Sequence, residues 1–327
     1  MATRLDHRVK RLRLRKSDPA RGIRTRSESL AKSTGGFETP KDALDYISET
    51  MLPVDQEYTD FTFEECKRVE GQIKEACETS NVGVNFRHQG SVTTDTHIKF
   101  YSDIDLLVIT DKFHDLKSPL EPTNPYKGDP MADLKEIRSI VESRLETSFP
   151  KAKVDKSGTK AVAISGGSLN RKIDVIAASW LETTEYRNSY KEEDKGVKIL
   201  DLDGPKRIAN FPFLHNRELS AKDQQTSGAL KRLIRFTKSV RYDADQEIKF
   251  SSYDIAALCF NLPFDSFRKA VGNDFLLASE FLTFADKVRL DNQLQQGLYV
   301  PNKTRLIFCD EGAKVERYFK MLWTERS

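Results

Sequence analysis

Apolar residues recur along the first half of the chain at the spacing of amphipathic helices. This spacing predicts three helices, over 40–51, 61–79 and 132–149. In the second helix, Val69, Ile73 and Cys77 would lie on one face. Each of these helices therefore has an apolar stripe that must pack against another element.

Between and after these helices the pattern changes to the two-residue alternation of β-strands. The clearest case is 102–110, where Ile104 and Leu106 alternate with Asp103 and Asp105 before the run becomes wholly apolar. The same reasoning predicts four further strands, over 84–87, 151–156, 160–165 and 171–177. This order of helices and strands is typical of a mixed sheet that is flanked by helices.

After residue 182 the strand signals fade and helical spacing dominates. Four helices are predicted there, over 231–241, 253–261, 274–296 and 312–324. The sequence therefore predicts a bilobed α+β fold. A mixed-sheet core over 37–182 would be followed by a mainly helical lobe over 183–327 that closes a cleft, and residues 1–36 would form a basic, flexible arm.

Charge separates this arm from the rest of the chain. Residues 1–34 carry eleven basic and three acidic side chains, whereas the remainder carries 42 basic and 47 acidic ones. The net charge is thus +8 for the arm and −5 for the remainder. This distribution argues against a uniformly basic nucleic-acid-binding domain. The arm itself could be a solvated tail or a contact for nucleic acid or another polyanion.

Composition narrows the remaining classes of protein. A hydrophobic fraction of 38% is enough for a buried core, and no apolar run reaches the roughly 18 residues of a membrane span. The basic N-terminus lacks the apolar segment of a signal peptide, so a cytoplasmic protein without membrane contact is expected. The cysteines show no spacing that suits zinc, and free thiols are expected at Cys66, Cys77, Cys259 and Cys309.

Three aspartates are the strongest chemical signal in the sequence. Asp103 and Asp105 are two residues apart on a strand, so their side chains point to one face. Asp174 lies within an apolar strand, where an unpaired carboxylate is costly. Carboxylates that converge repel one another, and divalent cations remove this repulsion. Oxygen ligands favour Mg²⁺, or alternatively Mn²⁺, over zinc, so we predict two such ions held by the three aspartates.

Gly90 and Ser91 precede the aspartates and are typical of a phosphate-binding turn. Glycine allows the backbone to approach a phosphate closely, and the next N–H and hydroxyl can donate hydrogen bonds to it. A phosphate cradle beside a metal site is the layout that phosphoryl transfer requires, and two metal ions could hold the attacking hydroxyl, the α-phosphate and the departing pyrophosphate. Each motif is common by itself, but their order and spacing favour phosphoryl transfer over ordinary acids at a strand edge.

The order of these motifs, from Gly90-Ser91 through Asp103 and Asp105 to Asp174, resembles the signature of the DNA polymerase β-like nucleotidyltransferases. More narrowly, it resembles that of the cGAS/DncV-like nucleotidyltransferases of bacterial anti-phage systems. This resemblance implies a bilobed nucleotidyltransferase fold and nucleoside triphosphate substrates such as ATP.

Two later segments support the narrower resemblance. Residues 230–238 resemble the basic helix of the family, and residues 250–255 resemble the Ser-Ser-Tyr segment that opens its next helix. The match covers roughly residues 40–325. Asp95 departs from the pattern, since a glycine is common at that position in the family.

The resemblance implies that Gly90 and Ser91 bind the donor triphosphate. It also implies that Asp103 and Asp105 coordinate both metal ions, and that Asp174 completes the catalytic metal and helps to activate the acceptor hydroxyl.

In the later segments, the resemblance implies that Lys238 and Ser252 contact the β- and γ-phosphates and that Tyr253 stacks on the donor base. The residues alone leave other readings open, because Lys238 could lie on a solvated helix face and Tyr253 in the core. The basic face of this helix would nevertheless suit a triphosphate. Neither His97 nor His215 is assigned a proton transfer.

The reaction that the resemblance implies is the joining of nucleoside triphosphates with release of pyrophosphate, by an enzyme expected to be a monomer. Its product would be a cyclic di- or trinucleotide second messenger of anti-phage (CBASS) signalling, which reaches an effector protein by diffusion. A linear transferase of the same superfamily remains an alternative, whether poly(A)-polymerase-like, tRNA-end-adding or protein-modifying. So do an inactive nucleotide-binding regulator and a sensor whose basic arm recruits an activating nucleic acid.

Overall fold

The computed structural model describes residues 40–308, apart from 100–101, 205, 245–247 and 249. The basic arm predicted over 1–36, the helix predicted over 312–324 and Cys309 lie outside the described residues.

A seven-stranded mixed sheet forms the centre of the first lobe. Its strands are β1 (Val84–Gln89), β2 (Ile104–Leu116), β3 (Lys153–Asp155), β4 (Val162–Gly166), β5 (Leu169–Glu182), β6 (Gly196–Asp201) and β7 (Lys206–Asn210). They are arranged in the order β1-β2-β5-β4-β3, and β6 pairs with both β5 and β7. Strands β2 and β5 run parallel, while the other neighbouring pairs are antiparallel.

The long strands β2 and β5 continue beyond their predicted ends. The prediction ended the first of them at Thr110, but β2 runs to Leu116 through a register shift between Thr110 and His114. Polar residues at this shift concealed the continuation in the sequence. Separate apolar clusters cover the two faces of β2, one containing Leu106 and Val108 and the other containing Leu107 and Ile109, which explains its wholly apolar middle.

Strands β6 and β7 extend the sheet beyond residue 182, where the sequence predicted no strand. Both are short and carry charged residues such as Lys198 and Lys206, so their apolar alternation is weak. Pairing with the C-terminal half of β5 supplies the backbone hydrogen bonds that stabilise β6. The division of the chain into domains at residue 182 stays a prediction.

Helices surround the sheet and form the second lobe. They are α1 (Pro40–Met51), α2 (Gln56–Thr79), α3 (Pro130–Ser148), α4 (Thr184–Ser189), α5 (Pro212–Gln225), α6 (Ala229–Tyr242), α7 (Ser252–Phe260), α8 (Phe264–Lys269), α9 (Asp274–Leu290) and α10 (Asn292–Gln295). The apolar stripes of α2 and α3 are buried against the sheet, for example at Ile73 and Ile137. Asp129 accepts hydrogen bonds from the first free N–H groups of α3, so the helix begins at Pro130.

A second core holds the helical lobe together. It contains buried residues of α6, α7 and α9, and also Tyr46 and Met51 of α1. Helix α1 therefore packs with the helical lobe, although the sequence boundary placed it with the sheet. The Tyr46 hydroxyl donates a hydrogen bond to Asp243 over 3.0 Å, which ties α1 to the end of α6. The α+β fold with its helical second lobe is confirmed.

Membrane-spanning helices were not expected from the sequence. Within the described part of the chain, every helix is too short or too polar to cross a bilayer.

Candidate active site

The parallel pairing of β2 and β5 brings the three aspartates together. Asp105 lies directly opposite Asp174 in this pairing, and Asp103 precedes the first residue of β2. Opposite residues on neighbouring strands point to the same face of a sheet. The prediction that these carboxylates share one site is therefore supported by the strand register.

Gly90 lies next to this pair because β1 ends opposite β2. Gln89, the last residue of β1, pairs with Asp105, and Gly90 follows with a φ of +92°. A Cβ atom at Gly90 would lie 2.8 Å from the Oδ2 atom of Asp105, which is closer than real Cβ contacts. Glycine is thus needed here both for the backbone conformation and for the space that the Asp105 carboxylate occupies.

The aspartates open into a cavity of about 310 Å³ between the two lobes. This volume falls at the lower end of the range of small-molecule sites. All eight residues that the sequence analysis selected line this cavity: Gly90, Ser91, Asp103, Asp105, Asp174, Lys238, Ser252 and Tyr253. The structure therefore brings together residues that are up to 163 positions apart in the sequence.

Negative charge accumulates at the sheet end of the cavity. Burial, together with the neighbouring charges of Asp174 and Asp103, raises the pKa of Asp105 to about 7. Burial also raises the pKa of Asp103. The three carboxylates thus lack enough nearby positive charge, and a bound cation would supply it.

Lys172 is a neighbour that the sequence analysis missed. Its ammonium group donates hydrogen bonds to Asp174 over 2.7 Å and to Asp103 over 3.2 Å. The sequence did contain a signal for this contact, because Lys172 is two residues before Asp174 on β5 and its side chain therefore lies on the same face of the sheet. One ammonium group against three carboxylates leaves a deficit of two positive charges when all three are ionised.

These observations bear on the predicted metal ions. The donors are oxygen atoms of partly exposed carboxylates that line the cavity, and such oxygen atoms suit Mg²⁺ or Mn²⁺. No three acidic, histidine or cysteine side chains of the described residues stand in a preformed metal-binding geometry. The donor chemistry and the charge therefore fit divalent cations, but their binding requires the Lys172 ammonium group to move away from the carboxylates.

Lys238 reaches the cavity from α6 in the helical lobe. Its side chain is 2% exposed, and its ammonium group donates a hydrogen bond to the Thr96 carbonyl over 2.9 Å. Burial lowers the pKa of Lys238 to about 7, so an anion in the cavity would stabilise its charged form. Lys238 is thus a buried residue of the cleft, and the solvated helix face that its sequence allowed is wrong.

Ser252 and Tyr253 line the cavity from the first turn of α7. Ser252 is the first residue of this helix, where free N–H groups and the helix dipole favour an anion. Tyr253 is half-buried and packs partly against the helical core. Its ring stacks on His215 of α5 with 4.4 Å between the ring centroids and 22° between their planes.

The turn that follows Gly90 is held by hydrogen bonds from its own threonines and from α5. The Thr93 hydroxyl donates to the Gly90 carbonyl over 2.8 Å, and the Asn216 amide of α5 donates to the Thr93 hydroxyl over 3.1 Å. Helix α5 was not predicted, because its polar and apolar residues show little helical periodicity. The sequence analysis therefore missed Asn216, and it considered His215 without placing it in the cavity that both residues line.

Asp95, which stands where the family commonly has glycine, adopts a left-handed backbone conformation with a φ of +52°. This conformation explains why glycine suits the position. Hydrogen bonds from Arg235 of α6 offset the cost of this conformation for Asp95. The guanidinium group donates to the Asp95 backbone carbonyl over 2.6 Å and to its carboxylate over 3.2 Å. The departure from the family pattern therefore leaves the turn in place.

Comparison with known proteins gives the following similarities. Residues 217–318 match the family model of the cGAS/DncV-like nucleotidyltransferase C-terminal helical domain. The chain is 35% identical over 279 residues to the cyclic dinucleotide synthase CdnE of Yersinia aleksiciae, covering 84% of this chain and 73% of that protein. It is 34% identical to a c-di-GMP synthase of a Lachnospiraceae bacterium, covering 68% of this chain and 70% of that protein.

A solved structure agrees with these sequence relatives. The STING-associated CdnE c-di-GMP synthase of Capnocytophaga granulosa superposes with a TM-score of 0.70 at 28% identity. The superposition covers 86% of this chain and 84% of the other. Both lobes are thus included in the similarity.

Proposed function

The chain belongs to the cGAS/DncV-like nucleotidyltransferases, and on this basis we propose that it joins nucleoside triphosphates into a cyclic dinucleotide. The relatives from Yersinia aleksiciae and the Lachnospiraceae bacterium are named as cyclic dinucleotide and c-di-GMP synthases. Purine nucleoside triphosphates are therefore the proposed substrates. The product would act as a diffusible second messenger in anti-phage signalling, made by a monomeric enzyme and detected by a separate effector.

The observation that carries this proposal is the register of the two central strands. Asp105 lies opposite Asp174 on parallel strands, and Gly90 lies beside Asp105 at the end of β1. The acidic group and the phosphate-binding turn thus share one end of the cavity. Phosphoryl transfer needs this combination, since the reaction concentrates negative charge where the phosphate is attacked.

The carboxylates have two tasks in the proposed reaction. Asp103 and Asp105 would hold the divalent cations, and Asp174 would accept the proton of the attacking ribose hydroxyl as well as binding one cation. Two Mg²⁺ ions, the number that we propose, would neutralise the charge on the α-phosphate and the departing pyrophosphate. The narrow cleft would hold the hydroxyl and the phosphate in line for attack.

The triphosphate would lie between the turn after β1 and the helical lobe. Gly90 and Ser91 would approach it with the backbone and the serine hydroxyl. Lys238 would donate to its β- and γ-phosphates, and Ser252 would do so from the N-terminus of α7. The two lobes therefore contribute opposite walls of the same phosphate site.

Incubation of the full chain with Mg²⁺ and labelled nucleoside triphosphates tests this function. Phosphatase-resistant products with the mass of a cyclic dinucleotide are expected. Asp103→Ala combined with Asp105→Ala should abolish them, while Asp203→Ala, in an exposed turn after β6, should not. Thermal unfolding should show that the variants are folded.

Two results would contradict the proposal. Phosphatase-sensitive chains of increasing length would indicate a linear transferase. Nucleotide binding without any product would instead indicate an inactive regulator.

A further inference from the structure

Arg171 is a buried arginine near the start of β5 that uses little of its hydrogen-bonding capacity. Its side chain is 3% exposed, and its Nη1 atom donates a hydrogen bond to the Ser102 carbonyl over 2.8 Å. Its Nε and Nη2 atoms are also buried, and within the described part of the chain neither has a hydrogen-bond partner. Arginine is rarely buried unless it is fully paired, because an unpaired buried donor lowers stability. The position of Arg171 therefore calls for a reason other than stability.

Arg171 lies behind the active site and not in it. Because successive residues of a strand alternate, its side chain points to the opposite face of the sheet from Lys172 and Asp174. There the guanidinium carbon lies over the ring of Tyr58 of α2, 4.3 Å from the ring centroid. Arg171 is thus not placed to contact a nucleotide in the cavity, and any effect on the reaction must pass through Ser102.

Ser102 connects this arginine to the first aspartate of the site. The register pairs Ile104 with Ile173, and two residues earlier it sets Ser102 opposite Arg171. Strand β2 begins at Ile104, so both Ser102 and Asp103 precede it. The hydrogen bond from Arg171 therefore extends the attachment of β2 to β5 beyond the end of the strand, as far as the residue next to Asp103.

We infer that Arg171 is a positioning residue, which fixes the Asp103 carboxylate beside Asp105 and Asp174 by holding the Ser102 carbonyl. This inference rests on the proposed function, which gives Asp103 a divalent cation to bind. Asp105 is paired with residues of both neighbouring strands, β1 and β5. Asp103 lies before β2 begins, so its backbone relies on the contact that Arg171 makes with the preceding residue.

Binding of Mn²⁺ to the full chain without nucleotide, followed by electron paramagnetic resonance, tests this role. The variant is Arg171→Met, which replaces the guanidinium group by an apolar side chain. Loss of a positive charge near the aspartates would by itself tighten the binding of a cation. A misplaced Asp103 carboxylate should have the opposite effect and weaken Mn²⁺ binding roughly 10- to 100-fold. The sign of the change therefore separates the two causes.

The kinetics of the same variant should show a matching split. At saturating Mn²⁺, kcat should fall roughly 10- to 100-fold, because small displacements of reacting groups are costly. KM for the nucleoside triphosphates should stay within a few-fold of wild type, since other residues would bind the phosphates. Arg171→Lys should lie between wild type and Arg171→Met, because an ammonium group can donate to the Ser102 carbonyl but cannot lie flat on the Tyr58 ring.

Arg138→Met is the matched control. Arg138 of α3 is 6% exposed, and it donates hydrogen bonds to Glu142 and to the carbonyls of Lys156 and Gly158. Because its donors are paired, Arg138→Met should lose more stability in thermal unfolding than Arg171→Met does. It should nevertheless keep wild-type Mn²⁺ affinity and kcat, since these contacts do not involve the aspartates.

Unchanged or tighter Mn²⁺ binding in a folded Arg171→Met variant would overturn the inference. Equal losses of kcat in Arg171→Met and Arg138→Met would overturn it as well, because they would indicate a purely structural role. If Arg171→Met does not fold, wild-type Mn²⁺ affinity and kcat in Arg171→Lys would be the contrary result.

The proposed function can fail separately from this inference. A wild-type protein that binds Mn²⁺ but makes no cyclic product would refute the proposed reaction. The Mn²⁺ affinities of the Arg171 variants would still decide whether Arg171 positions Asp103.

Discussion

Replacement of Gly90 by alanine would perturb the active site in two ways. The φ of +92° at Gly90 lies in a region that residues with a side chain rarely adopt. The new methyl group would also lie 2.8 Å from the Oδ2 atom of Asp105. The first effect acts on the stability of the protein, whereas the second acts on the position of a carboxylate that we assign to the chemistry.

The size of each effect can be worked out from these values. A left-handed backbone conformation costs an alanine about 1–2 kcal/mol. Ordinary contacts of a Cβ atom begin at 3.4 Å, so the Asp105 oxygen or the turn must move by about 0.6 Å. Since a displacement of about 1 Å can lower a rate about 100-fold, we expect kcat to fall roughly 10- to 100-fold.

Gly272→Ala separates the two effects. Gly272 has a φ of +72° in the turn between α8 and α9, and nothing lies within 4 Å of the position that its Cβ would occupy. Both variants should lose a similar free energy of unfolding in urea titrations. Only Gly90→Ala should lose activity when product formation from labelled nucleoside triphosphates is followed by chromatography. Equal kcat values for the two variants would refute the reasoning that Gly90 keeps space for Asp105.

Lys172→Met should lower the Mg²⁺ concentration that gives half of the maximal rise in melting temperature, because the ammonium group competes with cations for the carboxylates. An unchanged Mg²⁺ midpoint would contradict this competition. In EDTA, the free energy of unfolding should fall as the pH rises from about 4 to about 7. Burial raises the pKa of Asp105 from 3.8 to about 7, so the folded state binds the proton more tightly than the unfolded state over that range. Asp105→Asn should remove up to about 4 kcal/mol of this decrease, and parallel pH curves for the two proteins would show that another group is responsible. Lys222→Met should lower the free energy of unfolding by about 2 kcal/mol, because the ammonium group caps carbonyls at the end of α7 and lies within 4.7–5.5 Å of three phenylalanine ring centroids. Lys287→Met, at an exposed position on α9, should change it little, and equal losses would argue against the contacts of Lys222 as the cause.

Local patterns in the sequence were sufficient for the long elements and for the acidic residues. Helices such as α2 have apolar residues at regular helical spacing, and this regularity does not depend on distant parts of the chain. Asp103 and Asp105 share a face because alternate residues of any strand do so. The carboxylate of Asp174 in an apolar strand predicted a cation for the same local reason, the cost of burying an unpaired charge.

The tertiary structure alone decided how these parts meet. The register that sets Asp105 opposite Asp174 joins positions about 70 residues apart in the sequence. This register depends on how the two strands pack against each other, which the local pattern of either strand alone does not specify. Strand β6 forms because β5 offers it an edge, and β7 in turn pairs with β6. The stacked rings of His215 and Tyr253 likewise join two helices, α5 and α7, that are not consecutive in the chain. The sequence by itself thus determined which residues could do the chemistry. Long-range pairing and packing decided their distances and charges, since these depend on neighbours that no local pattern contains.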